Sequence, residues 1–456
     1  MSGYVSLEIP QASTCNLDCV YCYIPKDKTL SKIHKSWSKR IKDGSYLEMV
    51  SENYVQADLE NVNLWGGEPS IGFKDLDKLR EMFIQFPKLK NIGTSTNFSD
   101  IRPHEMLITS LQQIAKETGR KITLDLQISI DGDEEQTNKN RGKDVFKKIV
   151  ENIKKLVEVT KNAPDVKIEI HTKATNIDED YKRFVEEPEY LERFLDSFTF
   201  LQVSYAEGLD WPKNVFIGLF TVPTLALPGS YTKEDGEKFF QYHLLLEKLA
   251  ASKYKHYFGD MYYSRFVAIM DTAKQLNDYD VNQTMVCSAG VFMVGLDGDG
   301  LTHGCHGSFW YNYKDYLENA DHLSDWTEGR RIFDFSADKF WELSKPVVSE
   351  FRDTYNKSRL SYTLSGYANN VAQKANTAYS TIKVLAKANQ INEIYKTDDN
   401  MAKLFAYFIA LKSTCWVNSQ YQHGSLFPNN LSLYRMYGNG TFQYMIEKYR
   451  RNHGIQ

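Results

Sequence analysis

Tyr4-Val-Ser-Leu-Glu-Ile-Pro-Gln-Ala-Ser-Thr-Cys15-Asn-Leu-Asp-Cys19-Val-Tyr21-Cys22 is the stretch on which the reading of this chain turns. Its opening, Tyr4 to Ile9, is apolar and β-branched or aromatic enough to read as a strand. Directly behind it stand three thiols at the spacing C-x3-C-x2-C. Three such thiolates can hold three irons of a [4Fe–4S] cluster, which four would saturate, so one iron stays open to another ligand. Zinc is the competing occupant, but a zinc site normally takes four protein ligands and this loop offers no nearby fourth His or Cys.

Outward from that loop, strand-like runs alternate with amphipathic helices. Tyr4–Ile9, Val62–Trp65, Ile92–Thr96, Leu124–Ile130, Val166–His171 and Phe198–Ser204 read as six strands. The clearest helix places Val145, Phe146, Ile149, Ile153, Leu156 and Val157 on one face and lysines on the other. Such alternation implies an α/β fold whose parallel sheet is either open or curled into a barrel. In both, ligands collect at the C-terminal ends of the strands.

After about Gly208 the rhythm changes to aromatic and helical stretches such as Phe239–Leu249. A hairpin signal follows, with strand-like runs on either side of Asp297-Gly298-Asp299-Gly300. Beyond Trp326 the chain reads as helical again, notably at Met401–Lys412. The expected organisation is a first domain over 1–208, a connecting region over 209–280, a hairpin region over 281–326 and a helical region over 327–456.

Composition excludes several classes. The 456 residues carry 55 Lys plus Arg against 59 Asp plus Glu, a net charge of −4, with 42% hydrophobic and 25% charged residues. That balance suits a globular protein with a real core, not a disordered tail or a nucleic-acid coat. The N-terminus lacks a signal-peptide pattern. The longest apolar run, Val215–Leu227, is too short for a bilayer and contains Pro223. A cytoplasmic protein with no membrane partner is expected, and clustered thiols in a reducing compartment point to metal or redox chemistry.

With these residues in view, the chain resembles the radical S-adenosylmethionine superfamily, whose members carry this cysteine loop after the first strand of a partial (β/α)6 TIM-like barrel. The resemblance implies a [4Fe–4S] cluster whose open iron chelates the methionine moiety of S-adenosylmethionine. One electron then cleaves the sulfonium to give a 5′-deoxyadenosyl radical, which abstracts hydrogen from substrate. Tyr21 matches the aromatic residue common before the third cysteine. Gly66-Gly67-Glu68-Pro69, ending the second strand, looks like the family's Gly-Gly-Glu-Pro element. There the glycines would admit the methionine ammonium group and Glu68 would accept from it. Asn97 matches a polar residue at the end of the third strand. Ser129 and Arg141 would bind ribose or the methionine carboxylate, the latter through a guanidinium fork. Asp131 joins this set and also reads as a strand-end turn former. Asn176, just past the fifth strand, joins the set, and Val203 on the sixth would line the adenine pocket.

A second cysteine set, Cys287 and Cys305 around Gly300, resembles the opening of the SPASM or shorter twitch extension, which carries auxiliary clusters. Only Cys415 remains, so this region holds at most one auxiliary cluster. His303 and His306 read either as its non-cysteine ligands or as solvated hairpin residues. The alternative is a degenerate twitch region whose thiols merely pack.

Relatives of this type often modify peptide or protein side chains, which is the expected activity; others act on nucleotides, sugars or cofactor precursors. The chain opens at the first strand, without the leading peptide-recognition segment of many peptide-modifying members, which weighs toward the second class. A non-catalytic iron–sulfur scaffold is the third reading. The chemistry requires an electron donor such as flavodoxin or ferredoxin. The basic run Lys26–Lys42 reads as a solvated helix face or as a dock for that donor. No catalytic acid or base can be named from sequence.

Overall fold

The computed structural model describes residues 6–12, 14–22, 59–73, 76–173, 175–176, 209–217, 224–225, 232–251, 293–296, 302–303, 364–412 and 431–452, with isolated positions at 39, 43, 454 and between 183 and 193. Its centre is an eight-stranded sheet. The strands are β1 (Ser6–Ala12), β2 (Asn61–Gly66), β3 (Asn91–Thr96), β4 (Ile122–Ser129), β5 (Val166–Lys173), β7 (Val215–Ile217), β9 (Met293–Leu296) and β10 (Thr302–His303). Their order is β10-β9-β1-β2-β3-β4-β5-β7. All pairs are parallel except β9 with β10. β6 (Thr175–Asn176) and β8 (Thr224–Leu225) form a separate parallel pair.

Crossover helices connect the parallel strands. They are α1 (Asp77–Gln85) after β2, α2 (Arg102–Thr118) after β3, and α3 (Glu134–Arg141) with α4 (Val145–Lys161) after β4. The period-2 alternation of β2 to β5 sorts their side chains. Ile122, Leu124, Leu126 and Ile128 of β4, and Val166, Ile168 and Ile170 of β5, are buried. They form one core with Leu107, Leu111 and Ile114 of α2 and Ile149, Ile153 and Leu156 of α4. Each such side chain removed from water contributes ~1.5–3 kcal/mol. The other face is polar and only partly covered. In register across the strands it carries Asn63, Gly93, Asp125 and Glu169 in one row, and Ser95, Gln127 and His171 in the next, toward the strand ends. This is the concave inner face of a partial, open barrel.

Two features depart from sequence expectation. The strand beside β5 is Val215–Ile217, inside the apolar run and past residue 208, where the first domain was expected to close. Phe198–Ser204 lies outside the described residues. Asn214 fixes this strand's start by donating to the carbonyls of Ala163 (2.8 Å) and Val166 (2.9 Å). The expected Asp-Gly hairpin forms as β9–β10. Its first strand also joins the sheet edge parallel to β1, pairing Met293, Val294 and Gly295 with Ser6, Leu7 and Glu8.

Further helices are α5 (Lys233–Ala251), α6 (Leu364–Lys387), α7 (Ile394–Thr397), α8 (Asp399–Lys412), α9 (Leu431–Gly438) and α10 (Thr441–Asn452). Phe405 of α8 centres their aromatic core, 4.9 Å from Tyr395 and 5.0 Å from Phe442. α5 lies in the segment read as a connector, yet it crosses α9 closely: a Cβ on Gly236 would stand 1.9 Å from the Arg435 carbonyl oxygen. Among the described residues, no helix is long and apolar enough to cross a membrane.

Candidate functional site

At the C-terminal end of β1 the chain turns into the cysteine loop. Cys15 is exposed, and Cys19 and Cys22 are half-buried. The backbone N–H of Cys22 donates to the carbonyl of Cys19 (3.1 Å), closing a tight turn between the last two thiols. Cys15 Sγ accepts from the Leu17 N–H (3.4 Å) and faces Asn97 Nδ2 at 3.7 Å. Donors aimed at a ligating sulfur tune an iron–sulfur centre. The protein packed around the loop raises the Cys15 thiol, although its side chain still reaches the surface, and burial pushes Cys19 up to about 11.

Among the described residues, no three His, Cys, Asp or Glu side chains converge on one point as a single metal ion requires. The three thiols nonetheless sense one another electrostatically, Cys15 with Cys22 and Cys19 with both. The chemistry of the donor set, three thiols in one loop that holds no fourth Cys or His, suits a [4Fe–4S] cluster with one open iron.

Gly66 and Gly67 owe their identity to this loop. A Cβ at Gly66 would stand 2.1 Å from the Ala12 carbonyl oxygen, and one at Gly67 2.5 Å from that of Thr14. The Gly67 and Glu68 N–H groups donate to the same two oxygens, at 3.0 and 2.9 Å. The glycines therefore let the end of β2 lie directly against the backbone entering the cysteine loop. Pro69 opens a short 3-10 turn and is buried.

Glu68 is buried and joins the ends of β2 and β3. Its carboxylate accepts from the N–H groups of Ser70 (3.1 Å) and Asn97 (2.7 Å) and from the Thr96 hydroxyl (2.7 Å). Burial raises its carboxyl, and the hydrogen bonds from Asn97, from the Ser70 side chain and backbone, and from Thr96 oppose the rise. Asn97 binds Asn16 Oδ1 (2.8 Å), and Asn16 in turn reaches Ser99 (2.8 Å). The next residue, Phe98, has φ +51°, an unfavourable value for an aromatic side chain. That strained turn aims Asn97 at the cysteine loop, and strain of this kind gathers at functional sites.

A second knot holds the far side of the loop. The Tyr21 hydroxyl donates to Asp131 Oδ2 (2.6 Å), and Arg141 donates to the same carboxylate through Nη2 (2.9 Å), with its Nε in ion-pair contact at 2.8 Å. Asp131 is fully buried and Arg141 nearly so. Burial opposes the Arg141 charge, but Asp131 beside it keeps the guanidinium firmly protonated. For Tyr21, burial and then Asp131 push the phenol well above its usual range. The Val20 N–H donates to the Asn140 carbonyl (3.0 Å), fastening the loop to α3.

Sequence reading thus placed Tyr21, Gly66, Gly67, Glu68, Pro69, Asn97, Asp131 and Arg141 around one loop, and the structure brings them together there. Ser129 stands on the polar inner face at the end of β4, in register with Lys173. Asn176 lies in β6, pairing with Leu225. Val203, Cys287, Cys305, Cys415 and His306 lie outside the described residues, as does nearly all of Lys26–Lys42. The polar partners Thr96, Ser70, Asn16 and Ser99 were missed, as were Asp125, Gln127 and His171 of the inner face. The alternation of polar residues along β4 and β5 was the available signal for the last three.

Residues 9–187 match the family described as the Radical SAM superfamily. No curated protein matches the chain. Among solved structures, native anSMEcpe with bound AdoMet gives a TM-score of 0.41 at 17% identity, covering 79% of this chain and 94% of its own. The same protein with AdoMet and a Kp18Cys peptide gives 0.37 at 16%, covering 74% and 83%.

Proposed function

We propose that this chain, whose residues 9–187 match the Radical SAM superfamily, is an enzyme of that class that abstracts hydrogen from a peptide or protein side chain. The family implies a [4Fe–4S] cluster and S-adenosylmethionine. When bound, the reduced cluster supplies the electron that cleaves S-adenosylmethionine to methionine and the 5′-deoxyadenosyl radical. The observation that carries the reading is the cysteine loop held between two knots, one at Glu68–Asn97 and one at Tyr21–Asp131–Arg141.

The residues fit this role. Glu68 brings a buried carboxylate to the ends of β2 and β3, the charge an ammonium group would meet in this reading. Arg141 donates to Asp131 through Nη2, while its buried Nε has no hydrogen-bond partner among the described residues, and in this reading the guanidinium meets the methionine carboxylate. Ser129 and Asn97 stand at the same strand ends, where a ribose or a methionine chain is held in this reading. The polar inner face of β3 to β5 offers the substrate donors and acceptors beneath them. Cys287 and Cys305 are assigned to one auxiliary cluster on their spacing around Gly300, and Cys415 joins them as the one cysteine left.

The peptide reading rests on the likeness of the second cysteine set to relatives that modify peptides. Deuterium tracing tests it. Peptides encoded beside this gene, deuterated at their side chains, should pass deuterium into 5′-deoxyadenosine. Transfer from a deuterated nucleotide or sugar and none from peptide would move the assignment to small-molecule chemistry.

A further inference from the structure

Helix α3 contains no apolar residue, yet its Gln136, Thr137, Asn140 and Arg141 are buried. Hydrophobic burial does not explain a face of this kind, so each of its polar atoms needs a partner. Thr137 donates to the Gly132 carbonyl (3.1 Å) and accepts from the Asp131 N–H (3.3 Å). Gln136 Oε1 accepts from the Arg183 guanidinium (3.2 Å) and the Tyr190 hydroxyl (3.3 Å). On this helix Asn140 Nδ2 and Arg141 Nε are buried donors without a hydrogen-bond partner among the described residues. Arg141 Nε keeps its ion-pair contact with Asp131, which leaves Asn140 Nδ2 to be accounted for.

Its neighbours fix how that amide is turned. A guanidinium only donates, so Gln136 must present Oε1 to Arg183 and Nε2 to Asn140, one helical turn further on. Gln136 Nε2 then donates to Asn140 Oδ1 (3.0 Å), and Nδ2 is the atom left over. The result is a one-way chain of donors from Arg183 through Gln136 to Asn140, and such chains polarise each successive N–H. The chain ends at the cysteine loop. The Asn140 carbonyl, one of those that the last turn of a helix leaves open, accepts from the Val20 N–H (3.0 Å). Val20 follows Cys19 directly. Of the charged side chains around Cys19, the one that acts on it most is Arg141, the neighbour of Asn140.

We propose that Asn140 Nδ2 donates a hydrogen bond to sulfur on the Cys19 side of the iron–sulfur site and thereby raises its reduction potential. The inference rests on the radical SAM reading. A donor aimed at sulfur favours the reduced form, which carries one more negative charge, over the oxidised form. Asn97 stands in the same relation to Cys15, with its Nδ2 3.7 Å from that sulfur. The loop thus has an amide on each flank, one from the end of β3 and one from the end of α3.

The test is a potentiometric titration of the reconstituted full chain without S-adenosylmethionine, read by the electron paramagnetic resonance signal of reduced iron–sulfur. The signal that changes when S-adenosylmethionine is added to a parallel sample identifies the site with the open iron. Asn140→Leu keeps the bulk and removes the donor. It should lower the equilibrium constant for reduction about tenfold, which for one electron is a potential about 59 mV more negative. Asn140→Asp keeps the oxygen that accepts from Gln136 and puts an acceptor in place of the donor, so its potential should fall at least as far. Iron content should match wild type in this second variant. An unchanged potential in iron-loaded Asn140→Asp would overturn the proposal. So would weaker S-adenosylmethionine binding at an unchanged potential, which would give the amide to the cofactor's carboxylate. Loss of iron from both variants would make Asn140 a support of the loop and overturn the tuning role. Wild type with no reducible iron–sulfur signal would instead overturn the proposed function itself.

Discussion

Gly67 shows how tightly single residues bind the site to the fold. A methyl group there would meet the Thr14 carbonyl oxygen at 2.5 Å, and that contact is backbone, which cannot rotate away. Gly67→Ala should therefore displace the chain just ahead of Cys15. Iron retained after reconstitution should drop by roughly half or more as one cluster loses its seat, while far-UV circular dichroism stays near wild type. Glu68→Gln should keep the iron but weaken S-adenosylmethionine binding about 10- to 150-fold, the worth of one charge-assisted contact. Calorimetry decides it, and unaltered affinity would remove Glu68 from the cofactor site. His104, buried between Phe73 and Phe98, has a different consequence. Burial lowers its pKa from 6.5 to about 4. Between those values the unfolded chain binds a proton that the folded chain refuses. Stability from this group is thus complete above about pH 6.5 and declines as pH falls toward 4, by about 3 kcal/mol in total. His104→Phe should flatten that decline in denaturant titrations run across this range.

At the scale of elements, the cysteine loop is clamped between the β2–β3 ends and α3. Asp131 is the hinge of the second clamp, with Tyr21 and Arg141 both on its carboxylate. Asp131→Asn leaves a buried guanidinium without its counter-charge, which costs about 3–5 kcal/mol. Reduced chemical-denaturation midpoints, together with faster proteolysis near Cys22, should report the loss. Sequence could read much of this layer. The three- and four-residue apolar spacing made α4 plain, and β-branched runs marked β1 to β5. It could not show that Val215–Ile217 completes the sheet, because a long apolar run has no period that separates strand from buried coil. Nor could it show β9 lying parallel to β1, a pairing across nearly three hundred residues that no local pattern encodes. Asp131 read equally as a turn former until Tyr21 and Arg141 were found on it. The Glu68 partners Thr96 and Ser70 escaped notice because isolated hydroxyl residues carry no motif.

For the whole molecule, the parallel sheet sets a polar inner face beneath the strand ends, and the cysteine loop lies across those ends. The hairpin joins the sheet at β1, the strand that leads into that loop, so the second cysteine region is tied to the first by backbone pairing. If Cys287, Cys305 and Cys415 share a cluster, Cys415→Ala should lower iron from about eight to about four per chain and spare S-adenosylmethionine cleavage. Wild type with four would leave the hairpin as enclosure alone. The central claim is that Cys15, Cys19 and Cys22 hold the cluster that drives radical chemistry. Its most direct test is 5′-deoxyadenosine formed by dithionite-reduced, anaerobically reconstituted protein, measured beside the Cys15→Ala/Cys19→Ala/Cys22→Ala variant. Turnover by wild type and none by the variant is the expected result. Equal product from both, or none from fully iron-loaded wild type, would contradict the claim.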